Sequence, residues 1–325
     1  MTKTQPEFYK AAPYGIWRNR SANGAFEILT SPDFIQLKLA DYYENIATRF
    51  GRDFKHIRYI SRYQPLFHDG TRHREIRKMA ATYLRDVASE LEDFEAQSVA
   101  LIVTKLSQPG RVELVSEVVV PIMQKIAYSM TGLDFYPGLI AILSGTNSLK
   151  ATKKIDETFG KIFELSKQRF PEDDEDKTAM RVLFAALGSE PMGATFALSF
   201  DTLFSGVKRQ PISGLPWEYT FPATGPGMAF RQCRHAPVNL GEGAQDVSVI
   251  DVDISRFLKD DGANRNHMFG IGAHACLGRG LSLSLWQKVV DNMRTNPMKI
   301  THISSSQPTH KVFDYPSEIH VEISE

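Results

Sequence analysis

The chain has 325 residues, with 38 Lys and Arg against 38 Asp and Glu, and 42% hydrophobic to 23% charged residues. This balance excludes a disordered or collagen-like chain and lacks the basic excess of a nucleic-acid-binding protein. Two cysteines, Cys233 and Cys276, exclude a disulfide framework and favour a reducing compartment.

The first twenty residues mix charges with prolines and lack an apolar export core. No run approaches the roughly 18 uncharged apolar residues that cross a bilayer, so the sequence reads as soluble and cytoplasmic, with no membrane or nucleic-acid partner. Apolar residues at helical spacing behind the turn Ser31-Pro32-Asp33 predict a helix over 34–49. The same periodicity predicts helices over 72–86, 87–106, 112–132, 139–169 and 178–204. Pro and Gly residues from Pro211 to Gly243 then break the chain into short segments. A further helix is expected over 277–293, and a strand pair over 312–323 around a turn at 314–316. Without repeats or a clear linker, residues 1–325 are expected to form one mainly α domain with minor β-structure.

The chemically informative segment is Phe269-Gly270-Ile271-Gly272-Ala273-His274-Ala275-Cys276-Leu277-Gly278, a Gly-rich loop that presents one cysteine where a helix begins. Unpaired N–H groups and the positive end of the helix dipole favour a thiolate there. A cysteine so placed suits either a nucleophile or a metal ligand, whereas a lone cysteine elsewhere is usually an inert buried thiol.

This segment resembles the haem-binding loop of the cytochrome P450 family, Phe-Gly-x-Gly-x-His/Arg-x-Cys-x-Gly, with all six fixed positions present. The resemblance implies a shortened form of that family's single-domain fold around haem b (iron protoporphyrin IX), with Cys276 as the proximal thiolate ligand of iron. It further implies that Gly270 and Gly272 let the backbone pass near the porphyrin, that Phe269 packs near the sulfur, and that N–H groups around Gly278 tune it. His274 would reach a haem propionate. The stretch Asp69-Gly70-Thr71-Arg72-His73-Arg74-Glu75-Ile76-Arg77 is similar to the family's Asp-Pro-Pro-Glu-His-Thr-Arg-Leu-Arg, in which the positions of His73 and Arg77 bind propionates. Arg256-Phe257, twenty residues before Cys276, resembles the family's Arg-Phe pair, and Phe230-Arg231 the strand whose arginine contacts a propionate. Residues 112–133 look like the family's E helix.

Two family features are altered. The distal helix normally carries Ala/Gly-Gly-x-Asp/Glu-Thr-Thr, whose acid and alcohol deliver protons to bound dioxygen. The counterpart here, Leu187-Gly188-Ser189-Glu190-Pro191-Met192, keeps the acid as Glu190 and has Pro191 in place of the alcohol. Pro191 either kinks one helix or stands in the first turn of a helix capped by Ser189, which would leave Glu190 in solvent. The family's Glu-x-x-Arg helix is reduced to Glu218, with no arginine three residues on.

The implied activity is monooxygenation of a small organic molecule in a pocket faced by Ala186, Glu190 and residues 221–227. No flavin or nicotinamide fingerprint is present, so electrons would come from a ferredoxin or flavodoxin docked on Arg74, Lys78 and Arg279. The alternatives are a peroxygenase, dehydratase or isomerase that needs no redox partner, and a non-catalytic haem-binding relative.

Overall fold

The computed structural model describes residues 8–11, 16–19, 21–36, 38–139, 148–220, 228–234, 239, 249–253, 269–307 and 315–325. Strands β1 (Phe8–Ala11) and β2 (Ile16–Asn19) lead into helix α1 (Ala22–Thr30). The Ser21 hydroxyl caps α1 by accepting the Gly24 N–H at 2.9 Å. The helix expected from residue 34 is corrected: Phe34–Ile35 form strand β3, and α2 spans Leu39–Phe50. Phe34 and Ile35 pair with Cys233 and Gln232, so tertiary pairing overrides the local periodicity.

Helix α3 (Lys55–Ser61) was not expected. Its first N–H groups, on His56 and Ile57, both donate to Asp156 Oδ1 at 2.9 Å, a cap supplied from about a hundred residues away. Helices α4 (Gly70–Asp86) and α5 (Ala88–Ser107) match their predicted spans closely. The segment expected as one helix over 112–132 is divided into β4 (Gly110–Glu113), a π-helical turn (Val115–Val119) and α6 (Val120–Thr131). Gly132 ends α6 at φ 65°, a left-handed conformation that suits glycine. Helix α7 follows at Leu149–Arg169.

Helices α8 (Glu175–Leu187) and α9 (Glu190–Phe204) are consecutive halves of one bent path. Gly188 (φ −84°, ψ −26°) and Ser189 (φ −100°, ψ −37°) keep right-handed helical dihedrals. Pro191, lacking an N–H, interrupts the hydrogen-bond ladder at that point. The pair is buried on nearly every side, as a central core helix is. By length and composition it could cross a bilayer, but 78% of its apolar window is buried inside the protein.

Strand β5 (Gln210–Pro211), helix α10 (Trp217–Thr220), strands β6 (Met228–Cys233) and β7 (Val249–Asp253), helix α11 (Arg279–Met293) and strands β8 (Lys299–Ser305) and β9 (Ile319–Ser324) complete the described elements. One sheet has the order β1-β2-β7-β6-β3 and the other β4-β9-β8-β5. The strand pair expected over 312–323 is corrected, because β9 pairs with β8 and β4; residues 308–314 lie outside the described ones. The fold is mainly α with minor β, and one contiguous hydrophobic core joins the helices.

Gly193 of α9 faces α6 so closely that a Cβ there would overlap the thioether of Met123, itself 4% exposed. Gly-to-Ala alone favours a helix interior by about 1 kcal/mol. Overpacking a dense core costs ~1–3 kcal/mol and prevails. Gly193→Ala is therefore expected to lower urea-unfolding stability by ~1 kcal/mol relative to wild type, and to raise it relative to Met123→Ala when added to that variant.

Candidate cofactor site

Cys276 stands just before α11, whose N-cap is Gly278. The loop leading to it turns through Gly270 (φ 78°) and Gly272 (φ 68°), positions where a side chain would strain the backbone. The Cys276 N–H donates to the Phe269 carbonyl at 2.7 Å and closes the base of this loop.

The expectation of an acidified thiol is corrected. Burial is the largest influence and pushes the Cys276 thiol up. The Gly278 N–H, the charge of Arg77 and the Arg279 N–H pull the other way without prevailing. Cys276 is nevertheless exposed by surface area, so the sulfur is hemmed in by protein yet reachable. Burial thus disfavours the charged form of the sulfur. A metal cation bonded to sulfur would supply the compensation that the helix terminus does not.

A polar network joins four chain segments beside this loop. His274 Nε2 lies 3.2 Å from Asp69 Oδ1, and the Gln36 N–H donates to Asp69 Oδ2 at 3.0 Å. Arg231 Nη1, on β6, donates to Gln36 Oε1 at 3.2 Å. The ring of His73, on α4, lies 4.1 Å from that of His274. Three buried nitrogens in the network, His73 Nε2, His274 Nδ1 and Gln36 Nε2, have no partner among the described residues.

The charges follow this geometry. Burial pushes Asp69 up, but the His274 and Gln36 hydrogen bonds and the charges of His274 and Arg231 hold it below the usual carboxylate range. Burial, then the charges of His274 and Arg77, bring His73 down to about 4. Burial also lowers Arg231 to about 10 against the pull of Asp69. The Gln36 amide nitrogen is thus a buried donor without an acceptor among the described residues, and each unpartnered ring nitrogen donates or accepts according to its tautomer. An unpartnered amide donor, two unpartnered ring nitrogens and the charge of Arg77 beside a sulfur fit a group that carries its own carboxylates and a metal accepting a thiolate, as haem b does.

Cys276, Phe269, Gly270, His274, Gly278, His73, Arg77 and Arg231 are thereby gathered around one site. Arg256-Phe257 and residues 221–227 lie outside the described residues. Sequence reasoning missed Gln36, which it had assigned to a helix, and the bridging role of Asp69.

Glu190 is buried as the first residue of α9, not left in solvent, and its Oε2 accepts the Gly138 N–H at 3.3 Å. Pro191 stands in the first turn of α9 with Ser189 at the N-cap position, as the second alternative has it, but the Ser189 side chain makes no cap bond and Glu190 is buried, so neither alternative holds in full. Glu218 on α10, lacking the arginine three residues on, pairs instead with Arg294 at the far end of α11. Beside it the Trp286 Nε1–H donates to the Trp217 carbonyl at 2.9 Å, with the two rings 5.8 Å apart.

No protein-family model matches the chain, and no curated protein matches it in sequence. Solved structures do match its shape. P450BioI, in complex with acyl carrier protein ligated to hexadec-9Z-enoic acid, has a TM-score of 0.73 at 16% identity, covering 98% of this chain and 94% of that one. The cytochrome P450 PksS of the Bacillus subtilis 168 bacillaene polyketide synthase has a TM-score of 0.70 at 14% identity, covering 99% and 94%. A thermophilic cytochrome P450 from Sulfolobus tokodaii has a TM-score of 0.66 at 12% identity, covering 98% and 97%. The chain has the cytochrome P450 fold.

Burial raises the Glu190 carboxyl from its ordinary 4.5, opposed by the Gly138 N–H. A group raised in the folded state adds stability below its unfolded pKa and loses that contribution as pH climbs through the folded value. Glu190→Gln, which keeps an oxygen for Gly138, is expected to raise the urea midpoint at pH 8 and to leave it near wild type at pH 4.

Proposed function

We propose that this protein is a single-domain haem-thiolate oxidoreductase of cytochrome P450 type, a monooxygenase that oxidises a small organic molecule with dioxygen and external electrons. Support comes above all from Cys276, a reachable thiol at the mouth of α11 beside a buried amide donor and two buried ring nitrogens without partners among the described residues. In this reading Cys276 holds the iron of haem b, while His73, Arg77, Arg231 and His274 hold its propionates. When bound, the haem supplies the one-electron and oxygen chemistry that side chains lack.

The rest falls to this chain's own residues. The N–H groups of Gly278 and Arg279 and the charge of Arg77 stabilise negative charge on Cys276 Sγ. Glu190, driven towards its neutral form by burial, can hold a proton on one carboxyl oxygen while Oε2 accepts from Gly138. Pro191 cannot return an N–H to the Leu187 carbonyl four residues back, which leaves that oxygen able to accept from a water or a substrate hydroxyl. Either would stand in for the missing alcohol.

Arg74, Lys78 and Arg279 are all exposed, a basic surface suited to an acidic ferredoxin or flavodoxin. A chain with two cysteines, Cys233 and Cys276, suits a reducing, cytoplasmic setting.

Pro191 also favours a second reading, a peroxygenase, dehydratase or isomerase that needs no proton relay to dioxygen. Compounds that displace distal water from the haem-loaded protein, seen as a high-spin shift of the Soret band, supply candidate substrates. Incubation of these with a ferredoxin, its NADPH-dependent reductase and isotopically labelled dioxygen is expected to give product bearing one labelled oxygen. Product formed only with hydrogen peroxide, or without any reductant, would replace the monooxygenase by the second reading. Absence of product under all these conditions would overturn both.

A further inference from the structure

We propose that the side-chain amide nitrogen of Gln36, held between Asp69 and Arg231 at the end of β3, is a further ligand for the carboxylates of the cofactor. The inference rests on the haem reading above and assigns to that site a residue outside every motif that pointed to it.

Gln36 is 4% exposed and held at two points. Its main-chain N–H donates to Asp69 Oδ2 at 3.0 Å, and its side-chain Oε1 accepts from Arg231 Nη1 at 3.2 Å. A guanidinium can only donate, so Arg231 requires the oxygen of the amide and the NH2 group must be presented elsewhere. That nitrogen is buried and unpartnered among the described residues. A buried donor left without an acceptor is costly, and natural structures rarely keep one without a reason.

His73 Nε2 and His274 Nδ1 are unpartnered in the same network, connected to Gln36 through Asp69. Both Asp69 oxygens are engaged, one by His274 and one by the Gln36 main chain. Neither bond places an Asp69 oxygen on the Gln36 amide nitrogen, so the acceptor which that nitrogen lacks is one an incoming group would bring, and the two carboxylates of haem b bring four oxygens. Glutamine is also the suitable residue type here. A glutamate would accept from Arg231 equally well but would set a second carboxylate against those of the cofactor.

The test is the rate at which the ferric, haem-loaded protein gives up haem b to excess apomyoglobin. The same measurement is made with iron etioporphyrin, which has no carboxylates. Gln36→Glu keeps an oxygen for Arg231 and removes the N–H donor, whereas Gln36→Met keeps the approximate volume and removes both. Both variants are expected to release haem b about five- to tenfold faster than wild type, the loss of roughly one hydrogen bond to a charged group. Gln36→Glu is expected to be the faster, and both to release iron etioporphyrin within about twofold of wild type.

Equal acceleration for both porphyrins would make Gln36 a structural residue and overturn the proposal. So would a wild-type rate for Gln36→Glu beside a fast Gln36→Met, since Gln36 would then act only through Arg231. Wild-type protein that takes up no haem would instead overturn the haem reading, and the role of Gln36 with it.

Discussion

The site is governed by an imbalance of hydrogen-bonding capacity. Among the described residues, Asp69 is the carboxylate of a network that includes two histidines, Arg231 and an amide, and the amide nitrogen of Gln36 has no acceptor there. A buried donor in a medium of low dielectric demands an acceptor, and one left without it is complementary to an anionic group. The sulfur beside it is incomplete in a parallel way: burial disfavours its charged form, and a bonded cation would compensate that cost. An acceptor-bearing, cation-bearing ligand satisfies both demands at once.

The fold exists to hold these halves in register. One half comes from the loop before α11, whose two left-handed glycines aim Cys276 and His274. The other half comes from the start of α4, the end of β3 and a residue of β6, brought together by the β3–β6 pairing of Phe34 with Cys233. Helix α11 is anchored behind the site by aromatic packing of Trp286 on Trp217 and by the Glu218–Arg294 pair. Trp286 also lies against Phe196 and Phe200 of α9, with centroids 5.7 and 6.3 Å away. A short helix and an aromatic cluster thus secure this region, in which the Glu-x-x-Arg pair of the related family is missing.

What could be read from the sequence was local. The loop around Cys276 concentrates its chemistry in ten consecutive residues, and its glycines are there because the backbone needs positive φ. Helices α4 and α5 were legible because an amphipathic period is a property of a single segment. The errors share one cause, which is distance along the chain. The cap that permits α3 comes from Asp156, and β3 and β9 owe their state to strands far away in sequence. Gln36 stood inside a segment read as helix, and its partners Asp69 and Arg231 are 33 and 195 residues away. The thiol was misjudged for the same reason, since a helix terminus is visible locally whereas burial is set by the whole fold.

Reduction of the haem-loaded protein under carbon monoxide tests the central claim most directly. The account predicts the strongly red-shifted Soret band of a thiolate ligand opposite carbon monoxide, and its loss in Cys276→Ser. A Soret band typical of imidazole ligation in the wild-type protein, or a thiolate-type band that survives Cys276→Ser, would contradict it.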